Sequence, residues 1–163
     1  MEFNPFLRGY QREREASVTT KTILIADDDA DVVNILATRC RLLGLNVLCA
    51  HDAFGALSLA RSERPGMICL DVEMPAGNGL SVCEMLCFDE SCRTIPIAIL
   101  TGRNDPDTIM RCHNLCAYYV EKCPELWSRV EPLIKELLIE PPSASAGSGN
   151  GSLVAAVDDP VHR

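Results

Sequence analysis

The sequence predicts an α/β fold, a doubly wound parallel sheet, and three observations predict it. Between Lys21 and Glu140, short apolar runs alternate five times with stretches of helical periodicity. The central run, Met67-Ile68-Cys69-Leu70, lies between Pro65-Gly66 and Met74-Pro75 and ends abruptly in Asp71. Such a short bounded run reads as a buried strand rather than a helix. Four of the five runs end in residues able to do chemistry. Alternation of this kind builds a parallel sheet with helices on both faces and right-handed crossovers.

The elements follow in order. Thr22-Ile23-Leu24-Ile25-Ala26 is the first strand and runs into Asp27-Asp28-Asp29. Ala30 to Leu43 is the first helix, with Val32, Val33, Leu36, Cys40 and Leu43 on its apolar stripe and Gly44 as terminator. Asn46 to Ala50 is the second strand and Ala53 to Glu63 the second helix. After Asp71, residues Pro75, Gly77 and Gly79 make a shaped loop, and Leu80 opens a third helix that ends at Phe88. Ile95 to Leu100 is the fourth strand, with Pro96 near its start, and it ends at Thr101-Gly102. A fourth helix spans Asp105 to Asn114, and Ala117 to Glu121 is a fifth strand ending at Lys122. In the last helix Leu126, Val130, Leu133 and Leu137 form the stripe. Pro132 falls on the opposite face, where a kink costs least in packing, and Trp127 lies off the stripe.

The ends read differently. Residues 1–20 alternate in charge, hold little apolar content and are expected to be a disordered arm, although Phe3, Phe6 and Tyr10 are able to dock. After Glu140 a Gly-, Ser- and Ala-rich flexible tail, 141–163, leads to a segment too short for another domain, so no output module is expected. The ordered domain is therefore 21–140. A formal charge of −8 argues against a nucleic-acid partner, since phosphate backbones select basic surfaces. No run approaches a membrane span and no secretory pattern opens the chain, so a cytoplasmic location follows by default. Nine cysteines are scattered through apolar stretches, an odd number that favours reduced, packed thiols. The sharper alternative is a metal site from Cys83 and Cys87, or from Cys112 and Cys116 with His113. The CxxC pairs on which structural zinc sites usually draw do not occur.

The strand ends carry the chemistry. All carboxyl ends of a parallel sheet point the same way, so Asp27-Asp28, Asp71, Thr101 and Lys122 converge on one edge. In open α/β sheets that edge is where ligands bind. Singly, an acid after a strand is a helix cap or turn residue and a lysine is solvated. Jointly they are not explained that way. Three clustered carboxylates raise one another's pKa unless a cation sits among them. Oxygen ligands with room for water and phosphate favour Mg²⁺, or Mn²⁺ in its place. Asp28 and Asp71 would bind the metal directly, and Asp27 mainly through water. Asp71 would be the nucleophile that accepts a phosphoryl group. The charge on the transferring group would be met by the metal, by the Lys122 ammonium, and by the Thr101 hydroxyl with nearby N–H groups.

From Lys21 to about Glu140 the chain resembles a receiver domain of the two-component response-regulator family. The matching residues are Ile23 to Asp29, Asp71-Val72-Glu73-Met74-Pro75 with Gly79, Ile97 to Gly102, and Lys122. The resemblance implies a flavodoxin-like (βα)5 fold with strand order 2-1-3-4-5. It implies that Asp71 is phosphorylated by a sensor histidine kinase or a histidine phosphotransfer protein. Asp27 and Asp28 would form the metal pocket with the backbone carbonyl of Glu73 as a further ligand. Thr101 would be a switch residue, and Tyr119 would take the place of the family's switch aromatic. The face made by the fourth helix, fifth strand and fifth helix would meet a downstream protein. Whether the chain also forms a homodimer stays open. The family usually has Pro directly after the lysine, whereas here Cys123 intervenes before Pro124. A non-proline cis bond is expensive, so a trans Lys122–Cys123 bond is expected and the reach of Lys122 is in question.

Glu73 lies two residues after Asp71 and Arg103 two after Thr101. Paired across the phosphoryl group, they would hinder the attacking water and set the lifetime of the acyl phosphate. Three functions compete. The chain is a stand-alone phospho-accepting receiver, not an enzyme beyond its own phosphorylation and slow autodephosphorylation. Alternatively it is a pseudo-receiver that binds proteins without phosphorylation, or a phosphatase with an aspartyl-phosphate intermediate. The last needs a second acid or base near Asp71, and only Glu73 is available.

Overall fold

Five parallel strands and five helices occupy residues 21–140, the part that the computed structural model describes. The expected arm, 1–20, and tail, 141–163, lie outside the described residues. Strand β1 is Thr22–Ala26, followed by α1, Ala30–Leu42, β2, Asn46–Ala50, and α2, Ala53–Glu63. Then come β3, Met67–Asp71, α3, Gly79–Phe88, β4, Ile97–Thr101, and α4, Pro106–Asn114. Strand β5, Tyr118–Glu121, and α5, Leu126–Ile134, close the fold. The sheet runs β2-β1-β3-β4-β5, the expected 2-1-3-4-5 order.

Alternation along each strand sends neighbouring side chains to opposite faces. Ile23, Ile25, Cys69 and Leu100 therefore pack on α1 and α5. Leu24, Ile68, Leu70 and Ile99 pack on the other face, with Ala56, Leu86 and Cys112 of α2, α3 and α4. Each fully buried aliphatic side chain contributes about 1.5–3 kcal/mol. Asp29, Asp52, Asn78 and Asp105 cap α1 to α4 through side-chain oxygens. Each sits in extended backbone, where a short acceptor reaches back to free N–H groups.

Some boundaries and one stripe differ from expectation. The fourth strand begins at Ile97, after Pro96, because Pro has no N–H to give to the ladder. The fifth strand begins at Tyr118, one residue later than expected. The expected loop after Asp71 contains a two-stranded antiparallel ribbon, Glu73–Met74 with Gly77–Asn78, and α3 starts at Gly79 rather than Leu80. In the last helix Val130, Ile134 and Leu138 are buried, and the other expected stripe residues, Leu126, Leu133 and Leu137, are half-buried against the same core cluster. The helix passes into a π turn at Lys135–Ile139. Pro132 is exposed and Trp127 half-buried, with Arg39 of α1 stacked over its ring at 5.5 Å.

Candidate functional site

Register brings the functional side chains level. Ala26 pairs with Leu70, so Asp27 stands one step past β1 beside Asp71. Asp71 pairs with Leu100 and Thr101 with Glu121, which sets Lys122 one residue beyond. The Lys122 N–H donates to the Thr101 carbonyl at 2.8 Å and holds the two strand ends together. No peptide bond among the described residues is cis, and the trans Lys122–Cys123 link still lets the lysine reach the site.

The Lys122 ammonium bridges two carboxylates, 2.7 Å from Asp27 Oδ2 and 3.0 Å from Asp71 Oδ1. Asp27 is wholly buried and Asp71 nearly so, whereas Asp28 is exposed. Burial raises the Asp71 pKa, and the Asp27 charge adds to it, against the opposing hydrogen bond from Lys122. Burial works to lower the Lys122 pKa, but hydrogen bonding and charge from Asp27 and Asp71 outweigh it and hold the pKa above its ordinary value. The lysine therefore stays an ammonium.

Asp27, Asp28 and Asp71 each offer a carboxylate oxygen within 4.8 Å of the others. Asp27 Oδ1 accepts from the Asp29 N–H at 3.0 Å. Asp27 Oδ2 is buried, faces the Lys122 ammonium at 2.7 Å and accepts no other hydrogen bond among the described residues. A buried oxygen with spare capacity, inside an all-oxygen donor set, fits a hard divalent cation such as Mg²⁺ or Mn²⁺.

The other predicted residues surround this centre. The Thr101 hydroxyl, buried, accepts the Arg103 N–H at 2.9 Å. The Glu73 backbone N–H lies close enough to the Asp71 carboxylate to favour its charged form. The Glu73 and Arg103 side chains form an ion pair, and both are exposed. The Tyr119 hydroxyl donates to the Arg103 carbonyl at 3.0 Å. The cysteines do not join this site. All nine are free, and among the described residues the aspartate trio is the one acidic, His or Cys group close enough to hold a metal. The metal reading of Cys83, Cys87, Cys112, Cys116 and His113 therefore finds no assembled site.

Sequence reasoning missed His51. It follows β2 on the same edge, and its Nδ1 lies 3.2 Å from the Asp27 carbonyl oxygen. The signal was available, since β2 also ends in a polar residue.

A parallel sheet with this order, gathering acids, a threonine and a lysine at its carboxyl edge, defines a receiver-type signalling module. Residues 23–126 match the family described as response regulator receiver domain. The chain belongs to that family, and residues 23–126 are its receiver domain, a two-component signalling module. A relative named "Probable transcriptional regulator ycf27" from Cyanophora paradoxa is 34% identical over 138 residues, covering 82% of this chain and 56% of its own length. "Transcriptional regulatory protein PrrA" of Mycobacterium tuberculosis is 36% identical over 93 residues, 57% of this chain and 39% of its own length. The chain thus spans between about a third and just over half of the curated relatives it matches. Chemotaxis protein CheY4 of Vibrio cholerae shares the fold at TM-score 0.65 and 21% identity, covering 72% of this chain and 98% of that one. The phosphorylated cyanobacterial phytochrome response regulator RcpA does so at TM-score 0.68 and 20% identity, over 73% and 94%. No helix among the described residues is long and apolar enough to cross a membrane.

Proposed function

We propose that the chain is a receiver that accepts a phosphoryl group on Asp71 and signals by phosphorylation-dependent protein binding. The observation that carries this reading is the Lys122 ammonium, held on Asp27 and Asp71 at the same edge as the Thr101 hydroxyl. The donor is a phosphohistidine on a sensor kinase or phosphotransfer protein. One Asp71 oxygen attacks phosphorus, the P–N bond breaks, and the imidazole leaves. Lys122 and the Thr101 hydroxyl meet two of the phosphoryl oxygens, so the protein's work is positioning and charge neutralisation. Asp27, Asp28, Asp71 and the Glu73 carbonyl would hold Mg²⁺, or Mn²⁺. When bound, the ion supplies positive charge to the remaining phosphoryl oxygen and to the crowded carboxylates.

Thr101 and Tyr119 form the switch. As the Thr101 hydroxyl turns to the phosphate it gives up the Arg103 N–H, and Tyr119 is released from the Arg103 carbonyl. Both contacts meet at one residue, which couples them. The face of α4, β5 and α5 carries exposed Ile109, Met110 and Tyr118, apolar groups suited to a downstream protein. The Glu73–Arg103 pair sets the lifetime of the acyl phosphate.

The test is incubation of the full chain with acetyl phosphate and MgCl₂, read by intact-mass spectrometry. The expected result is one added phosphoryl group, absent in Asp71→Asn and absent with EDTA. No added mass in the wild-type chain overturns the reading and leaves a phosphorylation-independent binding module.

A further inference from the structure

The turn after β2 gives no side chain to the acid cluster, yet it holds two of the segments that do. Strand β1 pairs with β2 up to Ala26 and Ala50. One step further, the Asp27 N–H donates to the Ala50 carbonyl at 3.2 Å. A parallel ladder would next supply the Asp27 carbonyl with a backbone N–H from β2. The chain turns away instead, and Asp52 caps α2 by accepting the Gly55 N–H at 2.7 Å. The His51 imidazole takes the vacated role, with Nδ1 3.2 Å from the Asp27 carbonyl oxygen. A carbonyl oxygen only accepts, so Nδ1 carries the proton and donates. The neutral ring with its proton on Nδ1 and the imidazolium both make this bond.

The consequence is one of direction. A peptide unit is planar, so orienting the Asp27 carbonyl orients the whole unit that joins Asp27 to Asp28. The bond from the Asp27 N–H does the same for the unit before it. With the planes on both sides set, the direction of the Asp27 side chain is set too. That side chain is wholly buried, its Oδ1 accepts the Asp29 N–H at 3.0 Å, and its Oδ2 meets the Lys122 ammonium at 2.7 Å. Asp28, at the far end of the same peptide unit, offers a further carboxylate of the trio. The turn that carries His51 is itself anchored. The Ala53 N–H donates to the Pro75 carbonyl at 3.1 Å, and Ala53 is buried against Gly77, where an added Cβ would stand 3.0 Å from its own. His51 thus works from a fixed base, as a group that orients another must.

We propose that His51 is a positioning residue for the acid cluster. Its Nδ1–H, on the Asp27 carbonyl, aims the Asp27 carboxylate at Lys122 and places Asp28 beside it. His51 acts through Asp27 and not on the reacting atoms. For phosphoryl transfer the inference rests on the reading of Asp71 as acceptor, whereas the hold on Lys122 follows from the hydrogen bonds themselves.

The test uses the full chain, labelled with ¹⁵N and free of metal and phosphodonor. In the wild type, at a pH above the ordinary histidine range, the ring nitrogen shifts of His51 should place the proton on Nδ1. A proton on Nε2 overturns the proposal without any substitution. The second readout is exchange of the Lys122 ammonium protons with water, the signal identified by its absence in Lys122→Arg. Exchange should quicken at least about threefold in His51→Leu, which loses the donor, as befits one hydrogen bond. It should stay within about twofold of wild type in His51→Asn, whose amide nitrogen can stand where Nδ1 stands. His51 is exposed, so neither change opens a core cavity. Equal exchange in His51→Leu and wild type reduces the histidine to a ladder end and overturns the proposal, as does failure of His51→Asn to restore it. Phosphorylation by acetyl phosphate with MgCl₂ should follow the same order, slowest in His51→Leu. If the wild type takes no phosphate while both nuclear signals behave as expected, the reading of Asp71 falls and the positioning role stands.

Discussion

A Cβ added at Gly79 would lie 1.9 Å from the carbonyl oxygen of Asp71. The Gly79 N–H donates to the Val72 carbonyl at 2.9 Å, so α3 starts pressed against the last peptide of β3. No side chain fits there without moving backbone. Gly79→Ala is therefore expected to destabilise the domain by about 1–3 kcal/mol or more, as overpacking does. Because the atom that must move belongs to Asp71, phosphorylation by acetyl phosphate should also slow under conditions where the variant is folded. Urea unfolding and phosphorylation kinetics check the two effects, and an unchanged midpoint would contradict the close approach.

Mg²⁺ held by the aspartate trio, as proposed, would link metal to stability. A ligand that binds only the folded chain stabilises it by about 2.7 kcal/mol at 100 times its dissociation constant. Thermal unfolding in MgCl₂ against EDTA should show a gain of that order. Asp28→Asn removes one charge from three carboxylates whose oxygens lie within 4.8 Å of each other. The variant should melt higher than wild type in EDTA, through relief of repulsion, and gain little from MgCl₂. Equal Mg²⁺ responses in the two proteins would place the ion elsewhere.

How much of this was legible in the residues follows from which interactions are local. The strand ends Asp27, Asp71, Thr101 and Lys122 were readable because strand length and crossover handedness put every carboxyl end on one edge. The Lys122 reach was not, because it depends on the β4–β5 register and on the turn through Cys123. His51 escaped because its bond to the Asp27 carbonyl joins residues 24 apart and depends on the turn after β1. The stripe of α5 was read only in part, because Ile134 and Leu138, next to the expected Leu133 and Leu137, are the more deeply buried members of the same core-facing side. The ribbon after Asp71 was hidden by Pro75 and Gly77, which signal a turn without specifying pairing. Ala76 there adopts φ 60°, a left-handed conformation that its identity does not announce.

The Glu73–Arg103 ion pair stands beside Asp71, the proposed acceptor, with both side chains more than 60% exposed. An exposed pair is worth at most about 1 kcal/mol, which corresponds to roughly fivefold in rate. The double variant Glu73→Ala, Arg103→Ala should lose its acyl phosphate up to about fivefold faster than wild type, and the difference should shrink at high salt. Decay followed by intact mass after donor removal checks this. Identical decay in both proteins would reduce the pair to two solvated side chains.

The start of α4 carries a pH dependence whose sign is determined by Thr108. Its N–H and its hydroxyl each donate to the Asp105 carboxylate at 2.9 Å. The backbone bond first, and the hydroxyl second, favour the ionised form and lower the Asp105 pKa below 3.8. A depressed carboxylate pKa contributes stability above the unfolded value, and that stability is lost as pH falls through the folded value. Asp105→Asn keeps an acceptor but does not titrate. The stability difference between the two should be constant from about pH 7 to about pH 5 and should close toward about pH 3. A difference that widens on acidification would mean that the cap bonds do not select the carboxylate.

The nine thiols should divide by burial. Cys116 is exposed, Cys49, Cys87 and Cys123 are half-buried, and Cys40, Cys69, Cys83, Cys92 and Cys112 are buried. Burial pushes Cys40 up to about 11, and burial with the neighbouring Cys87 pushes Cys83 up to about 12. The thiolate is the reactive form, so these groups are almost inert near neutral pH even when reached by solvent. Titration of the reduced native chain with an aromatic disulfide reagent should show one fast thiol, removed by Cys116→Ser. The half-buried three should follow more slowly. The buried five should react only as fast as the domain opens, and all nine should react at once in urea. Rapid modification of all nine without denaturant would show that the thiols do not pack between the sheet and its helices.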